Sequence, residues 1–211
     1  MKQHSRVLTL GAVIICLASC VVVAQKPDTY KELVTKLKAG DTKIDFKAIR
    51  MASLDSEEKD AGEADKELRR KATEALNAKK FKEAMRAGEE ALKGGYLDID
   101  THLIMALAAR GAGDKAKFEF HQAVYVGLIN SILGSGDGKS TKTAYVVINV
   151  GEEYSVLTAL ELKRGSQAVL DDGGHKYDVL TATDPKTNES EKVYFNIDAV
   201  WKGYEKVFKK P

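Results

Sequence analysis

The sequence predicts an α+β protein in which helical hairpins are followed by a five-stranded antiparallel meander and a C-terminal helix. In the first half, apolar residues recur every three to four positions, as on one face of an α-helix. In the second half, short apolar runs alternate with turn residues, which is typical of antiparallel strands. We therefore expect a helical region over residues 25–133 and a sheet with its final helix over residues 134–211, packed together as one compact unit.

The first 24 residues have the features of a signal peptide. A basic leader that ends at Arg6 precedes an uncharged, apolar run over residues 7–24. Small residues before Gln25 favour cleavage there and release of the protein, whereas residues 17–20 resemble a bacterial lipobox in which Cys20 is acylated. We expect an exported protein that is periplasmic or secreted, or alternatively anchored to the cell envelope through a lipid on Cys20.

The chain after residue 24 is electrically neutral. The whole sequence has 33 Lys and Arg residues and 31 Asp and Glu residues, and Lys2 and Arg6 both lie in the predicted signal. A neutral chain with intermixed charges lacks the basic surface that nucleic acids and anionic membranes attract, so we expect neither as a partner. Cys16 and Cys20 also fall in the signal, so packing rather than a disulfide must stabilise the exported part.

Two short helices begin the helical region. Asp28 is a suitable N-cap for a helix over residues 30–38, and Gly40 is a suitable stop for it. A second helix is predicted over residues 46–54. The charged stretch at residues 55–66 is typical of a solvated linker or helix face.

Residues 65–133 contain a repeated helical hairpin. Ala72 is followed 34 residues later by Ala106, and the turn at residues 79–80 is matched by Gly113 and Asp114. Paired helices with this period and with small residues at their contacts are typical of tetratricopeptide repeats. We therefore predict two tetratricopeptide-like hairpins, whose curved face would bind a protein or peptide partner.

Five strands are predicted in the sheet region. Residues 144–150, AYVVINV, are apolar on both faces, as in a central strand. Gly151 and Glu152 suit a two-residue hairpin turn, and residues 154–162 alternate as a second strand does. Three more strands are predicted between turns, and Asp198 can cap a last helix that covers the sheet. These strands are at residues 167–170, 177–183 and 192–197.

The segment at residues 132–141, ILGSGDGKST, resembles a phosphate-binding loop but has the wrong spacing. Such a loop needs a glycine five residues before Gly138, where this chain has Leu133. A helix is predicted before the segment and a strand after it, the reverse of the order that points a helix N-terminus at a phosphate. We therefore expect no nucleotide partner and no cofactor, and we interpret the segment as a connection in which Asp137 bonds nearby backbone.

Several short motifs occur in a characteristic order along the chain. They are Tyr30-x-x-Leu33, the Ser-Gly-Asp-Gly turn at 135–138, YVVI at 145–148, Glu-Glu-Tyr at 152–154, Gln167, Tyr177-Asp178 and VYFNI at 193–197. Together they resemble the bacterial family called domain of unknown function 4919. The resemblance implies export in bacteria and a chain of helices and a sheet, and it implies no known activity. The turn and the Glu-Glu-Tyr segment recur in that family, so the resemblance indicates these candidate binding residues: Ser135, Gly136, Asp137, Gly138, Glu153 and Tyr154.

Two histidines are candidate metal ligands. His102 and His121 lie on successive predicted helices that could pair, and a metal site would need them to converge with Glu119 or Asp137. The chain has no His-x-x-x-His motif, so we expect no metal site.

The sequence favours two functions, and a third, in which the sheet binds a small ligand, would require a pocket. The leading hypothesis is a non-catalytic exported protein-interaction module. The alternative is a cell-envelope hydrolase that uses Asp137, Glu153 and His121, which requires these side chains to line one cleft. Because adjacent residues of a strand point to opposite faces, only one of Glu152 and Glu153 can face that cleft.

Overall fold

A computed structural model describes residues 28–59 and 63–208, which form eight α-helices and a four-stranded sheet. The predicted signal peptide and Cys20 lie outside the described residues. None of the helices in the described ranges combines the length and the apolar character that crossing a membrane requires. The helices are α1 (Tyr30–Lys38), α2 (Phe46–Ser53), α3 (Lys66–Asn77), α4 (Phe81–Ala91), α5 (Ile99–Ala112), α6 (Lys115–Leu133), α7 (Val150–Ala159) and α8 (Asp198–Phe208). The strands are β1 (Tyr145–Val146), β2 (Lys163–Asp172), β3 (His175–Thr183) and β4 (Ser190–Asn196).

Short polar side chains begin most of the helices. Thr29 and Glu32 form a capping box, so Thr29 rather than the predicted Asp28 is the N-cap of α1. Gly40 follows that helix with a φ of 96°, which confirms the predicted stop. Aspartates cap four other helices by accepting a backbone N–H three residues further on. They are Asp45, Asp65, Asp98 and Asp114.

The helical half is a stack of two hairpins. Helix α4 packs against both α3 and α5, and α5 packs against α6. Gly88 of α4 permits the close approach to α5, because a Cβ atom at that position would lie only 2.4 Å from Sδ of Met105. Helices α1 and α2 cover the other end of the stack, where α2 packs against α6.

The sheet has the order β1-β4-β3-β2. β2, β3 and β4 form an antiparallel meander, whereas β1 pairs in parallel with β4 through Tyr145 and Phe195. The three predicted strands at residues 167–170, 177–183 and 192–197 are confirmed in type and place. Between β1 and β4 the chain passes through α7, β2 and β3, so the two paired strands can run in the same direction.

The prediction of a five-stranded, wholly antiparallel sheet is wrong at residues 144–162. Only Tyr145–Val146 is a strand there, and the predicted hairpin turn and second strand are instead helix α7. The Asn149 side chain accepts the N–H of Glu152 at 3.0 Å and so caps this helix. Buried Val156 and Leu157 follow buried Glu152 and Glu153 at a spacing of four, which is the period of a helix.

One hydrophobic cluster includes residues of both halves. Leu37, Leu128 and Ile132 from the helices meet Leu180 and Phe195 from the sheet, and all five are fully buried. Helix α8 packs against β3, where Val200 joins this cluster. The hydrophobic core therefore holds the sheet against α6, and this places the loops of the second half beside the helical stack.

Candidate functional site

The glycine-rich turn after α6 is held by its own backbone and by β1. Ser135 Oγ donates to the Ile132 carbonyl at 2.5 Å and accepts the N–H of Val146 at 2.8 Å. Gly138 has a φ of 70°, and a Cβ atom there would lie 2.4 Å from the Tyr145 ring. Only glycine fits this combination of backbone angle and close contact.

The same turn leaves few groups for a ligand. The N–H groups of Asp137 and Gly138 both donate to the Thr143 carbonyl, at 3.0 and 2.8 Å, and are therefore occupied. Asp137 is exposed, and hydrogen bonds from the Thr143 side chain and from the Lys139 N–H lower the pKa of its carboxyl group. As predicted, this carboxylate bonds nearby backbone, because it accepts the Lys139 N–H at 3.0 Å.

Arg50 and Glu152 form a buried ion pair beside this turn. Arg50 Nε donates to Glu152 Oε1 at 2.8 Å and Nη2 donates to Oε2 at 2.5 Å. The guanidinium group also donates to the Val146 carbonyl at 3.0 Å and to Ser131 Oγ at 3.1 Å. Because Ile148 N–H donates to the same Glu152 carboxylate, the pair joins α2, α6, β1 and the start of α7. Arg50 therefore has a structural role: its charge-assisted hydrogen bonds hold these elements together.

Glu153 and Asp178 place two carboxyl groups in the core. Glu153 is fully buried and Asp178 is 4% exposed. Gln167 Nε2 donates to Asp178 Oδ2, but no donor among the described residues reaches Asp178 Oδ1 or either oxygen of a Glu153 carboxylate. Burial, the charge of Asp178 and a hydrogen bond with Asp178 raise the pKa of Glu153 to about 8. Glu153 therefore carries a proton at neutral pH.

Tyr154 lies on a different face of α7 from the two glutamates. Its ring is half-buried and has the Arg164 guanidinium 4.6 Å from its centre, a cation–π contact. It also lines a small cavity of about 160 Å³ with Asp100 and Ser155. The Ser155 hydroxyl donates to Asp100 at 2.8 Å, and burial raises the pKa of that carboxyl group.

His102 and His121 meet at the contact of α5 and α6, as the predicted pairing of these helices allows. Their Nδ1 atoms are 3.0 Å apart, and His102 Nε2 is 2.8 Å from the Tyr96 carbonyl. Burial lowers the pKa of His102 to about 4. Burial and the electrostatic effect of the neighbouring His102 lower the pKa of His121 to about 3. Both imidazoles are therefore neutral at physiological pH.

The described residues contain no cluster of three or more potential metal ligands. The two histidines converge, but Glu119 pairs instead with Lys115 on the surface of α6. Asp137 has its contacts within the glycine-rich turn. The structure therefore brings neither Glu119 nor Asp137 to the two histidines.

An open groove of about 640 Å³ runs along α3 and α4 on the side away from α5. Its floor consists of small or apolar side chains, and its rims carry both acidic and basic side chains. The floor residues are Leu68, Ala75, Ala78 and Ala87, and the rim residues are Lys71, Glu74, Lys80, Glu83, Arg86 and Glu90. This α3–α4 groove is larger than the cavity beside Tyr154, which has a volume of about 160 Å³.

The three residues of the hydrolase alternative have separate environments. Asp137 is exposed in the turn after α6, Glu153 contacts Asp178 in the core, and His121 contacts His102. Of the predicted binding residues, Ser135, Gly136 and Gly138 shape the turn. The expectation that adjacent Glu152 and Glu153 point to opposite faces is wrong, because both lie on the buried side of a helix.

Two buried charged residues, Arg50 and Asp178, were not among the candidate site residues that the sequence indicated. Arg50 follows Ile49 on the buried side of α2, so a charge on the apolar face of an amphipathic helix was the available signal. Asp178 is two residues before buried Leu180, so strand alternation places it on the inner face of the sheet. Gln167 and Asp178 belong to the motifs of the family resemblance, and in the structure they meet at Glu153.

A family model described as Domain of unknown function (DUF4919) matches residues 27–206. The match covers nearly all of the described chain, including the turn after α6, the buried ion pair and the Glu153–Asp178 pair. No curated protein matches the chain, and no solved structure matches it.

Proposed function

This chain belongs to the family described as Domain of unknown function (DUF4919), and we propose that it is a non-catalytic protein-interaction module that binds an amphipathic helix. The α3–α4 groove is the proposed binding surface. The separate environments of Asp137, Glu153 and His121 support a non-catalytic function over hydrolysis, because acid–base catalysis needs its groups within hydrogen-bond reach of one substrate.

The repeated hairpins support a tetratricopeptide-like description of the helical region. α3 and α5 begin at residues 66 and 99, and α4 and α6 begin at residues 81 and 115. These spacings are close to the 34-residue period of such repeats. Each position of the first hairpin therefore has an equivalent about 34 residues later in the second hairpin.

The surface of the second hairpin that is equivalent to the α3–α4 groove indicates what kind of partner the groove accepts. On α5 and α6 that surface is covered by helix α4: Gly88 packs against Met105, and Glu89 accepts a hydrogen bond from Lys117 at 2.8 Å. The groove positions 34 residues earlier than Met105 and Lys117 are Lys71 and Glu83. The single observation that carries the proposal is that one copy of this groove is already filled by a helix with a small residue at its centre.

The open groove differs from the filled one in charge. Glu83 stands where the filled surface has Lys117, so the sign of the rim charge is reversed. The ion pair between Glu83 and Lys80, at 3.4 Å, is exposed and contributes little. We infer that the partner helix carries a small residue at its contact and a Lys or Arg where α4 carries Glu89.

A peptide that copies α4 tests this proposal. The probe is residues 80–95, chemically stapled as a helix and carrying Glu89→Lys, and the control peptide keeps Glu89. We expect the protein to bind the probe at least tenfold more tightly than the control. Ala87→Glu, in the groove floor, should abolish binding, whereas Ala116→Glu on the exposed face of α6 should not.

Thermal denaturation must first establish that both protein variants remain folded. Equal affinity for the two peptides, or binding that survives Ala87→Glu, would contradict a helix in this groove.

We also propose that the protein acts outside the cytoplasm. The uncharged run at residues 7–24 after a basic leader supports export, with the mature protein periplasmic or secreted, or anchored through Cys20. The partner helix would then belong to another exported or envelope protein.

A further inference from the structure

A second cavity lies between α6 and the segment that follows α4. It has a volume of about 320 Å³, and its walls include Leu92, Tyr96, Phe120 and His121. The Phe120 ring stands edge-on to His121, with ring centres 5.0 Å apart. Lys38, Glu89 and Lys93 also border the cavity. Lys38 Nζ lies 4.5 Å from the centre of the Tyr96 ring, and Glu89 already accepts a hydrogen bond from Lys117 at 2.8 Å. Aromatic walls with a few convergent polar groups are typical of a small-molecule site.

Hydrogen bonding fixes the tautomer of both histidines at this cavity. The Tyr96 carbonyl can only accept, so His102 Nε2, 2.8 Å away, must carry a proton and donate it. His102 is neutral, which leaves its Nδ1 as an acceptor. His121 Nδ1 lies 3.0 Å from that atom and must therefore donate to it. In a neutral His121, Nε2 is then a bare acceptor.

Nε2 of His121 is available to a ligand. The residue is 8% exposed, it lines the cavity, and Nε2 makes no hydrogen bond with any described residue. Its neighbours work against protonation, because burial, His102 and Lys117 all lower the pKa of this ring, and only Asp114 opposes them. Nε2 of His121 is therefore a fixed acceptor beside aromatic walls, and a ligand that binds it must supply the donor.

We propose that this cavity binds a small aromatic molecule that donates a neutral hydroxyl group, of the phenol type, to Nε2 of His121. The aromatic body packs against Tyr96 and Phe120, and the hydroxyl replaces the water that would otherwise solvate Nε2. Discrimination comes from the acceptor, because a ligand of the same shape without the hydroxyl proton leaves a buried nitrogen unsatisfied. This site is separate from the α3–α4 groove and does not depend on the function proposed for it.

Two matched probe molecules test the proposal on the full mature chain. p-Cresol carries the hydroxyl donor, and 4-methylanisole has the same ring with the oxygen methylated. We expect p-cresol to bind with a Kd on the order of 1 mM, a realistic affinity for so small a ligand, and 4-methylanisole to bind about tenfold more weakly. With ¹⁵N-labelled histidine, p-cresol should shift the resonance of His121 Nε2 and leave that of exposed His175 unchanged.

A variant of His121 provides a second test of the proposed acceptor. His121→Leu removes the acceptor and should make the two probes bind equally; His175→Leu is the matched control and should preserve the tenfold difference. The ligand comparison on the unmodified protein remains decisive even if His121→Leu fails to fold. Three results would each overturn the proposal. They are equal affinities for the two probes, no binding of p-cresol at about 10 mM, which is 10 times the expected Kd, and a proton found on His121 Nε2.

Discussion

Glu153 of α7 and Asp178 of β3 bring two buried carboxyl groups together in the core of the protein. As a carboxylate, Glu153 has no hydrogen-bond donor among the described residues. Protonation makes Glu153 itself the donor and allows its hydrogen bond with Asp178, whose other oxygen already accepts from Gln167. The pair therefore links α7 to the sheet only while that proton is present.

Raising the pH should lower the free energy of unfolding, because Glu153 then loses its proton. Its pKa is about 8 in the folded state and near its ordinary value of 4.5 when the chain is unfolded. The folded state therefore binds one more proton between these values, so stability is full below about pH 4.5 and is lost as the pH rises through about 8. At about 1.4 kcal/mol per pKa unit, the loss across this window is on the order of a few kcal/mol.

Urea denaturation between pH 5 and pH 9 measures this effect as the difference between the wild type and Glu153→Gln. The amide remains neutral, so the variant should lose less stability over that range. Glu161→Gln is the control, since this exposed carboxylate pairs with Lys186 on the surface and should leave the slope unchanged. A Glu153→Gln profile parallel to that of the wild type would show that Glu153 is not protonated in the folded protein.

Breaking the Arg50–Glu152 pair should strongly destabilise the protein. Arg50→Met leaves a buried carboxylate without its counter-ion, and we expect a loss of about 3–5 kcal/mol in the free energy of unfolding. The double variant Arg50→Met with Glu152→Leu should regain most of that loss, because it leaves no buried charge. Arg70→Met is the control, since its pairs with Glu67 and Glu74 are exposed and should contribute little to stability.

A chemical denaturation cycle of the wild type, the two single variants and the double variant measures this coupling. If the losses of the single variants simply add in the double variant, the pair does not stabilise the fold as a unit.

The sequence was sufficient to predict the helices and strands whose signals lie within their own residues. Helices α1 to α6 have apolar periods within their own residues, and all of them except α4 have a side-chain N-cap. The β2–β3–β4 meander has its turns between alternating strands. At residues 144–162 the local signals support either structure, because β-branched residues are also tolerated in a buried helix. Contacts with distant residues decide the outcome there: Glu152 on α7 binds Arg50, which is 102 positions earlier.

At the candidate sites too, local sequence patterns do not determine the side-chain chemistry. Pairing of the helices that carry His102 and His121 followed from the repeat, but the direction of their hydrogen bonds depends on the Tyr96 carbonyl between the two hairpins. Glu153 was a candidate from the family resemblance, whereas its protonation depends on Asp178, which belongs to a strand of the opposite layer. Side-chain chemistry at these sites is set by tertiary contacts that no local pattern reports.

Gly138→Ala should destabilise the turn after α6 more than an alanine at a comparable glycine. Both Gly138 and Gly174 have positive φ angles, of 70° and 81°, so either alanine should lose about 1–2 kcal/mol from backbone strain. Only at Gly138 would the new Cβ also meet a ring, that of Tyr145; nothing lies within 4 Å at Gly174. We expect a clearly lower Tm for Gly138→Ala in differential scanning calorimetry. Equal Tm values for the two variants would contradict the role assigned to the Tyr145 contact.

The N-terminus of the mature protein separates the two proposed processing routes. Release by signal peptidase predicts a mature chain that begins at Gln25, whereas lipoprotein processing predicts one that begins at an acylated Cys20. Intact-mass spectrometry of protein purified from the envelope and from the medium distinguishes these products. Cys20→Ala is the diagnostic variant: it should change neither mass nor location if the chain is cut before Gln25, and it should prevent membrane attachment if Cys20 carries the lipid.

The histidine pair should make the protein sensitive to acid. The pKa values of His102 and His121 are lowered by burial to about 4 and about 3, whereas both rings titrate near 6.5 when the chain is unfolded. The unfolded state therefore binds more protons below pH 6.5, so the stability that this pair contributes is present above that pH and is lost as the pH falls through about 4. NMR titration of the ring protons between pH 8 and pH 5 should show no protonation of either ring, with exposed His175 as the internal reference. A His102 or His121 resonance that titrates near pH 6.5 would contradict the neutral pair, and the fixed acceptor at His121 Nε2 would then be lost as well.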